Sequence, residues 1–345
     1  MGMDISQIVA EFEARYQNQG QTARDIKKQL FEPSTTESYF RLIPWDQDYY
    51  RSSYADIDEV TQAFSVPFVA KSTSSFAGHE QKLGEFKIDV LRTPDKLRRS
   101  WLGFLVNIAE KDRSKWPIIR WMITEQIIPK SKEEMEIQQS YWGWEVTGYN
   151  ASPTVDGATF VRQLIADNVV SPANAAVDGI RKQIIKLVAD GRANVLNSGA
   201  WSTDPVTFVE EIEAWVLLIP RVHRDKMDFL FMSEALRNRY IDGRREKYNM
   251  NYAQETDLEA IDKVSMKVKM LPGMDGSEKI WTTMPMNRVR PVHEDNTGRF
   301  DIQKLDRQVK LLNDWKMVLT VDVPEFVYTN DLENAITAGD ITARY

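Results

Sequence analysis

Between Pro33 and Tyr54 the chain carries six aromatic rings, Tyr39, Phe40, Trp45, Tyr49, Tyr50 and Tyr54, in a polar stretch that follows neither a helical nor a strand period. An extended segment of this kind cannot bury its rings on itself. They must dock on another part of the protein or on a neighbouring subunit, so the remainder has to offer a surface for an arm.

On either side of the arm the patterns are regular. Ile5, Ile8, Val9, Phe12 and Tyr16 fall at helical spacing with Gly20 as a stop, which predicts an amphipathic helix. Residues Ala63 to Lys71 and Gly84 to Arg92 read as two strands of a long hairpin, joined by the Ser72 to Gly78 loop. Residues 66–100 hold seven basic and four acidic side chains, so the expected hairpin is cationic and suits an acidic partner surface. Trp116-Pro117 opens a long helical pattern to about Trp142, with Pro129 expected to kink it. Further helices are predicted over Ile180 to Val195, from Asp204-Pro205 to Pro220, and after Ser233 to about Lys247. Met227 to Met232, Val264 to Met270, Ile280 to Met284 and Met317 to Val323 read as strands. Helices and strands alternate in an α+β order without internal repeats.

Composition narrows the function. Fifty-one acidic against 44 basic residues give a net charge of −7, which disfavours binding to nucleic acid or acidic lipid by charge alone. The absence of cysteine excludes thiol nucleophiles, disulfides and cysteine-ligated metals. No window approaches the ~20 apolar residues of a membrane span, and the first residues lack a secretory pattern, so a cytoplasmic location is expected.

The chemical motifs are sparse. His79, His223 and His293 are far apart, and none has a zincin partner four residues away, so no metal site is expected. Val222-His223-Arg224-Asp225 has no accompanying glycine-rich loop or DFG triplet and reads as a charged turn. No phosphate-binding glycine motif or nucleophile elbow occurs, and no cofactor is expected. Glu133, Glu134 and Glu136, like Glu210, Glu211 and Glu213, read as solvated helix faces, and Arg244-Arg245 with Lys247 as a surface cluster. Tyr141-Trp142-Gly143-Trp144 reads as core, with a ligand-stacking wall as the alternative.

The order of these elements resembles one family. The amphipathic helix and arm, the hairpin ending in Phe86-Lys87-Ile88-Asp89-Val90-Leu91-Arg92-Thr93-Pro94, and the long helix over Trp116 to Trp142 resemble the N-arm, E-loop and spine helix of tailed-phage major capsid proteins. Phe229 to Arg237 is similar to that family's A-domain strand-to-helix step, and Val318 to Tyr328 looks like its closing strand. The resemblance implies an α+β fold of the Hong Kong 97 type.

It also implies a domain layout: N-terminal helix and arm over 1–57, E-loop over 58–96, P-domain over 97–146 and 299–316, and A-domain over 147–298 and 317–345. The implied function is structural, with no enzymatic activity. Copies would assemble as hexamers and pentamers into an icosahedral head in the bacterial cytoplasm, around packaged double-stranded DNA held without sequence specificity. Implied partners are other copies, a separate scaffolding protein, a portal and decoration proteins, with no membrane. Tyr39, Phe40, Trp45, Tyr49, Tyr50, Lys71, Lys82 and Lys87 are the implied contacts between subunits. Lys-Asn crosslinking, known in some members, is not carried over because the sequence singles out no asparagine partner. Two other readings remain: an encapsulin-type nanocompartment shell, and a soluble α+β enzyme with Tyr141 to Trp144 as a pocket wall.

Overall fold

The structure, a computed structural model, describes residues 10, 29, 32–57, 74–113, 115–144, 176–249, 254–293, 301–305 and 308–334. The expected helix near Ile5 to Tyr16 and strand over Ala63 to Lys71 lie outside the described residues.

A helical rod forms the backbone of one half. It runs through Ile118–Met122, Ile123–Ile127, Ile128–Glu134 and Met135–Gln139, together named α2. The helix α1, Pro94–Val106, precedes it. Sequence predicts a kink at Pro129. The structure instead widens the turn ahead of it: Ile128 N–H donates to the Ile123 carbonyl, a π-type bond. Proline has no N–H and crowds the carbonyl four residues back, so this wider turn lets the helix continue past it. A second π turn closes the rod, where Ser140 N–H donates to the Met135 carbonyl.

This rod lies on a six-stranded sheet built from β1 (Arg41–Trp45), β4 (Gly84–Arg92), β9 (Arg288–His293), β10 (Asp301–Leu305), β11 (Gln308–Met317) and β12 (Thr320–Val321). β11 is its longest strand. It pairs antiparallel with β4 on one side, from Val309 opposite Arg92 to Met317 opposite Gly84, and with β10 on the other. Ile88, Val309 and Leu311 on the inner face pack against Ile118, Ile119, Met122 and Ile123 of α2, with Leu97, Trp101 and Phe104 of α1 closing the side. Each such side chain removed from water contributes ~1.5–3 kcal/mol.

The second half is a five-stranded sheet in the order β5 (Asn194–Leu196), β13 (Tyr328–Asn330), β8 (Trp281–Thr282), β6 (Phe229–Met232), β7 (Lys267–Met270). Alternation along β6 assigns its two faces. Leu230 and Met232 meet α4 (Pro205–Leu218) and α5 (Glu234–Tyr248) through Phe208, Val209, Ile212, Trp215, Leu236 and Tyr240. Phe231 points the other way, towards Trp281, Tyr141 and the α3 residues Ile180, Ile184 and Leu187, α3 being Ile180–Ala189. α4 starts as its sequence demands, with Asp204 accepting from Thr207 N–H at 2.9 Å and Pro205 in the first turn.

Four expectations change. The hairpin is made of β2 (Tyr49–Ile57) and β3 (Ser74–Lys82), from Tyr49 opposite Lys82 to Ile57 opposite Ser74. Part of the expected loop is therefore strand, and Gly84 to Arg92 belongs to the larger sheet. The predicted cationic hairpin goes with it: Lys87, Arg92, Lys96, Arg98 and Arg99 lie on β4 and α1, while Tyr49 to Lys82 holds three basic and four acidic side chains. Val195 leaves the third helix for β5, because Gly191 takes a positive φ of 68° and ends the helix. The predicted closing strand divides into the end of β11 and β12, and β13 follows the turn at Pro324–Phe326.

Candidate assembly surface

The two-stranded sheet β2–β3 is joined to the rest of the protein at its root. Tyr50 buries its ring there and donates its hydroxyl to Asp322 Oδ1 at 2.9 Å. Burial and the Asp322 carboxylate both raise the phenol pKa well above its usual value. Ser52 Oγ donates to the Asp322 carbonyl at 2.5 Å, and Arg192 donates to the Gly78 carbonyl at 2.8 Å. Leu83 N–H donates to the Asp48 carbonyl at 2.8 Å, closing the base where β3 passes into β4. These contacts tie the hairpin to the body, and among the described residues β2 and β3 pair only with each other.

The arm ahead of the hairpin docks on its own chain. Tyr39 stands edge-on to Phe229 and Phe231 at 5.4 and 5.3 Å, and Phe40 is buried against Trp281. Trp45 meets Tyr50 edge-to-face at 5.0 Å and donates its indole N–H to the Tyr49 carbonyl. Thr36 N–H donates to both Glu136 oxygens, at 3.1 and 3.0 Å, and its hydroxyl bonds the same carboxylate. Glu37 pairs with Arg290 of β9. Burial pushes the Glu37 carboxyl pKa up, opposed by the Arg290 charge. β1 then runs parallel to β9 from Arg41 opposite Val289 to Trp45 opposite His293.

Of the residues proposed from sequence as contacts between subunits, Tyr39, Phe40, Trp45 and Tyr50 therefore satisfy their rings within the chain. Tyr49 is 38% exposed, Lys82 lies opposite it on β3, and Lys87 is exposed on the outer face of β4 beside Asp89 at 2.6 Å. Lys71 lies outside the described residues.

That outer face is wet. Lys87 opposes Asp314 and Glu85 opposes Lys316 across the β4–β11 ladder, and Lys316 binds both Glu85 at 2.8 Å and Asp48 at 2.7 Å. β10 bonds only β11 among the described residues, leaving an open edge.

The residues weighed for chemistry are used for packing. Tyr141, Trp142 and Trp144 are buried, with Arg181 over the Trp142 ring and Lys182 over Trp144, and Tyr141 bonds Ser277 through their hydroxyls. Two surface assignments are corrected. Glu136 is buried because it receives Thr36, and Arg244 is buried because its guanidinium donates to the Ala260 carbonyl and lies over Tyr248. His223 bonds the Tyr328 hydroxyl at 2.6 Å and His293 meets the Asp46 carbonyl at 3.0 Å. The described residues contain no cluster of three or more metal-ligating side chains. They also contain no helix long and apolar enough to cross a membrane.

The sequence matches no protein-family model and no curated protein. Solved structures do match. A chain of the satellite phage P4 procapsid that includes the size determination (Sid) protein aligns over 90% of each chain with TM-score 0.53 and 12% identity. A chain of Mycobacterium phage Ogopogo aligns over 86% of this chain and 91% of that one, with TM-score 0.47 and 9% identity. The virus-like particle from Pyrococcus furiosus aligns over 90% and 98%, with TM-score 0.45 and 8% identity. The first of these shows the fold: a phage capsid arrangement of the Hong Kong 97-like type, α+β as expected.

Proposed function

We propose that this chain is a shell subunit, the major capsid protein of a tailed double-stranded DNA bacteriophage. Copies assemble as hexamers and pentamers into an icosahedral head in the host cytoplasm and end in the virion. The observation that carries the reading is the procapsid fold, matched over nine-tenths of both chains. A hairpin whose strands pair only with each other among the described residues supports it, since a two-stranded sheet of this kind can lap over a neighbour.

Within this reading the P-domain corresponds to residues 97–146 and 299–316, which hold most of α1, all of α2 and β10, and most of β11. The A-domain corresponds to 147–298 and 317–345, which hold the five-stranded sheet. Tyr49, Lys82 and Lys87 are the contact candidates whose side chains the body does not bury, and Lys71 joins them from the hairpin's sequence. The role is structural, without catalysis, and the partners are other copies, a scaffolding protein, a portal and decoration proteins. A net charge of −7 suits a container whose wall does not hold DNA tightly.

Velocity sedimentation of the freshly expressed protein, with negative-stain microscopy of the heaviest fraction, tests the proposal. Capsomers, tubes or closed shells are expected. A species that stays monomeric at high concentration, with crowding agents and with a co-expressed phage scaffolding protein, would overturn it. Closed shells loaded with a host enzyme would replace the phage head by a nanocompartment.

A further inference from the structure

The outward face of α4 and the turn after it are not used by anything described so far. Glu210, Ala214 and Leu217 recur at helical spacing on the solvent side of α4, with Leu218 beside them. Leu217 and Leu218 are 47% and 59% exposed, and Val222, four residues on, is 69% exposed. Three large apolar side chains within six residues is dense for a wet surface, and such patches mark contact sites.

The charges around the patch are ordered. At its N-terminal end stands Glu210, whose side chain is 62% exposed and only 3.6 Å from Lys247. At its C-terminal end stands Arg221, 84% exposed, with Asp225 at 3.4 Å. Arg224 donates to the Leu217 carbonyl at 3.3 Å, which holds a second guanidinium beside the leucines. Glu210 and Arg221 each already have an opposite charge of their own chain beside them, so the charges alone prove nothing. The exposed leucines between them have no such explanation.

An acid-to-apolar-to-base stripe is complementary to itself reversed. We propose that this face docks on the same face of a second copy, α4 against α4 in antiparallel sense about a two-fold axis. Glu210 of each copy then faces Arg221 of the other, and Leu217 fills the space over the small Ala214 side chain. The contact is isologous, so each favourable pair occurs twice, and the opposed charges fix its direction. The inference goes beyond the shell reading and stands independently of it, because a two-fold contact forms a dimer whether or not rings or shells follow.

The absence of cysteine makes the test clean. In A214C the only thiol sits near the proposed axis, and in S100C, on the exposed side of α1, it does not. Under mild oxidation of dissociated subunits, A214C is expected to give a disulfide-linked dimer at least tenfold faster than S100C. Adding R221E should cut that rate about tenfold, and adding E210R as well should restore it. All four variants should keep the thermal midpoint of the unaltered chain, since these side chains are exposed. Equal rates for A214C and S100C, or no recovery in the double reversal, would overturn the inference. Shell formation, read separately by sedimentation, bears only on the capsid proposal.

Discussion

His79 shows how one side chain can register the state of the hairpin root. It lies on β3, 8% exposed, with Nε2 3.4 Å from Thr320 Oγ1. Burial lowers its pKa from 6.5 to about 4, helped by Arg192 and Lys186 and opposed by Glu325 and Asp322. The folded state therefore keeps His79 neutral where the unfolded chain already binds a proton. Its contribution to stability is complete above about pH 6.5 and is lost as pH falls towards about 4. A shift of this size corresponds to roughly 3 kcal/mol. We expect H79Q to lose less thermal stability than the unaltered chain between pH 7 and pH 4.5, measured by circular dichroism melting. Parallel losses in the two proteins would show that His79 is not what titrates. This role was not legible in sequence, where His79 appeared only as an isolated histidine. The same limit hid Glu136, since nothing in Glu133-Glu134-Met135-Glu136 says which carboxylate will meet Thr36 from a hundred residues away.

At the scale of elements, two glycines in helices predict opposite outcomes for the same substitution. Gly243 of α5 crosses α4 so closely that a Cβ there would lie 2.0 Å from the Pro205 carbonyl oxygen and 2.5 Å from its carbon. Gly103 of α1 has nothing within 4 Å of the same point. G243A should therefore force α4 and α5 apart and cost about 1–3 kcal/mol or more. G103A should stabilise by about 0.5–1 kcal/mol, because alanine restricts the unfolded chain more than glycine does. Urea unfolding midpoints of dissociated subunits check both, and a destabilised G103A or a neutral G243A would contradict the packing described.

Elements with a strong local period were readable: α3, α4, α5, β4 and β6 lie close to where the apolar spacing puts them. β9 was not, because its Arg-Val-Arg-Pro-Val-His sequence looks like a loop. It is a strand because β1, β11 and β12 pair with it and because Arg288 and Arg290 find Asp228 and Glu37. The hairpin was readable as a hairpin but not in its pairing, since Tyr49 to Ile57 carries no clean alternation to compete with Gly84 to Arg92. The arm's need to dock was legible, whereas its destination on β6, β8 and β9 was not.

The whole molecule divides unevenly in how its backbone is protected. β4 and β11 share nine register positions inside a six-stranded sheet with α1 and α2 packed on one face. β2 and β3 share as many, but among the described residues their sheet has only two strands. A lone two-stranded sheet is marginal in water, and Tyr50, His79, Gln81 and Leu83, the buried residues among those of the hairpin whose burial is described, lie in its root half. With one partner strand each among the described residues, β2 and β3 are expected to be weakly protected towards Ile57 and Ser74 in an isolated subunit, where a neighbouring copy would add cover. Hydrogen exchange checks this. In dissociated subunits, amides of Ser53 to Ile57 and Ser74 to Gly78 should exchange at least a hundredfold faster than those of Ile88 to Val90 and Val309 to Leu311. In assembled particles the hairpin amides should slow by a similar factor while the β4–β11 amides change little. Full protection of the far hairpin in the isolated subunit would mean that the body already covers it, removing the physical reason for a neighbour. Fast exchange that persists after assembly would mean that the hairpin is not where copies meet.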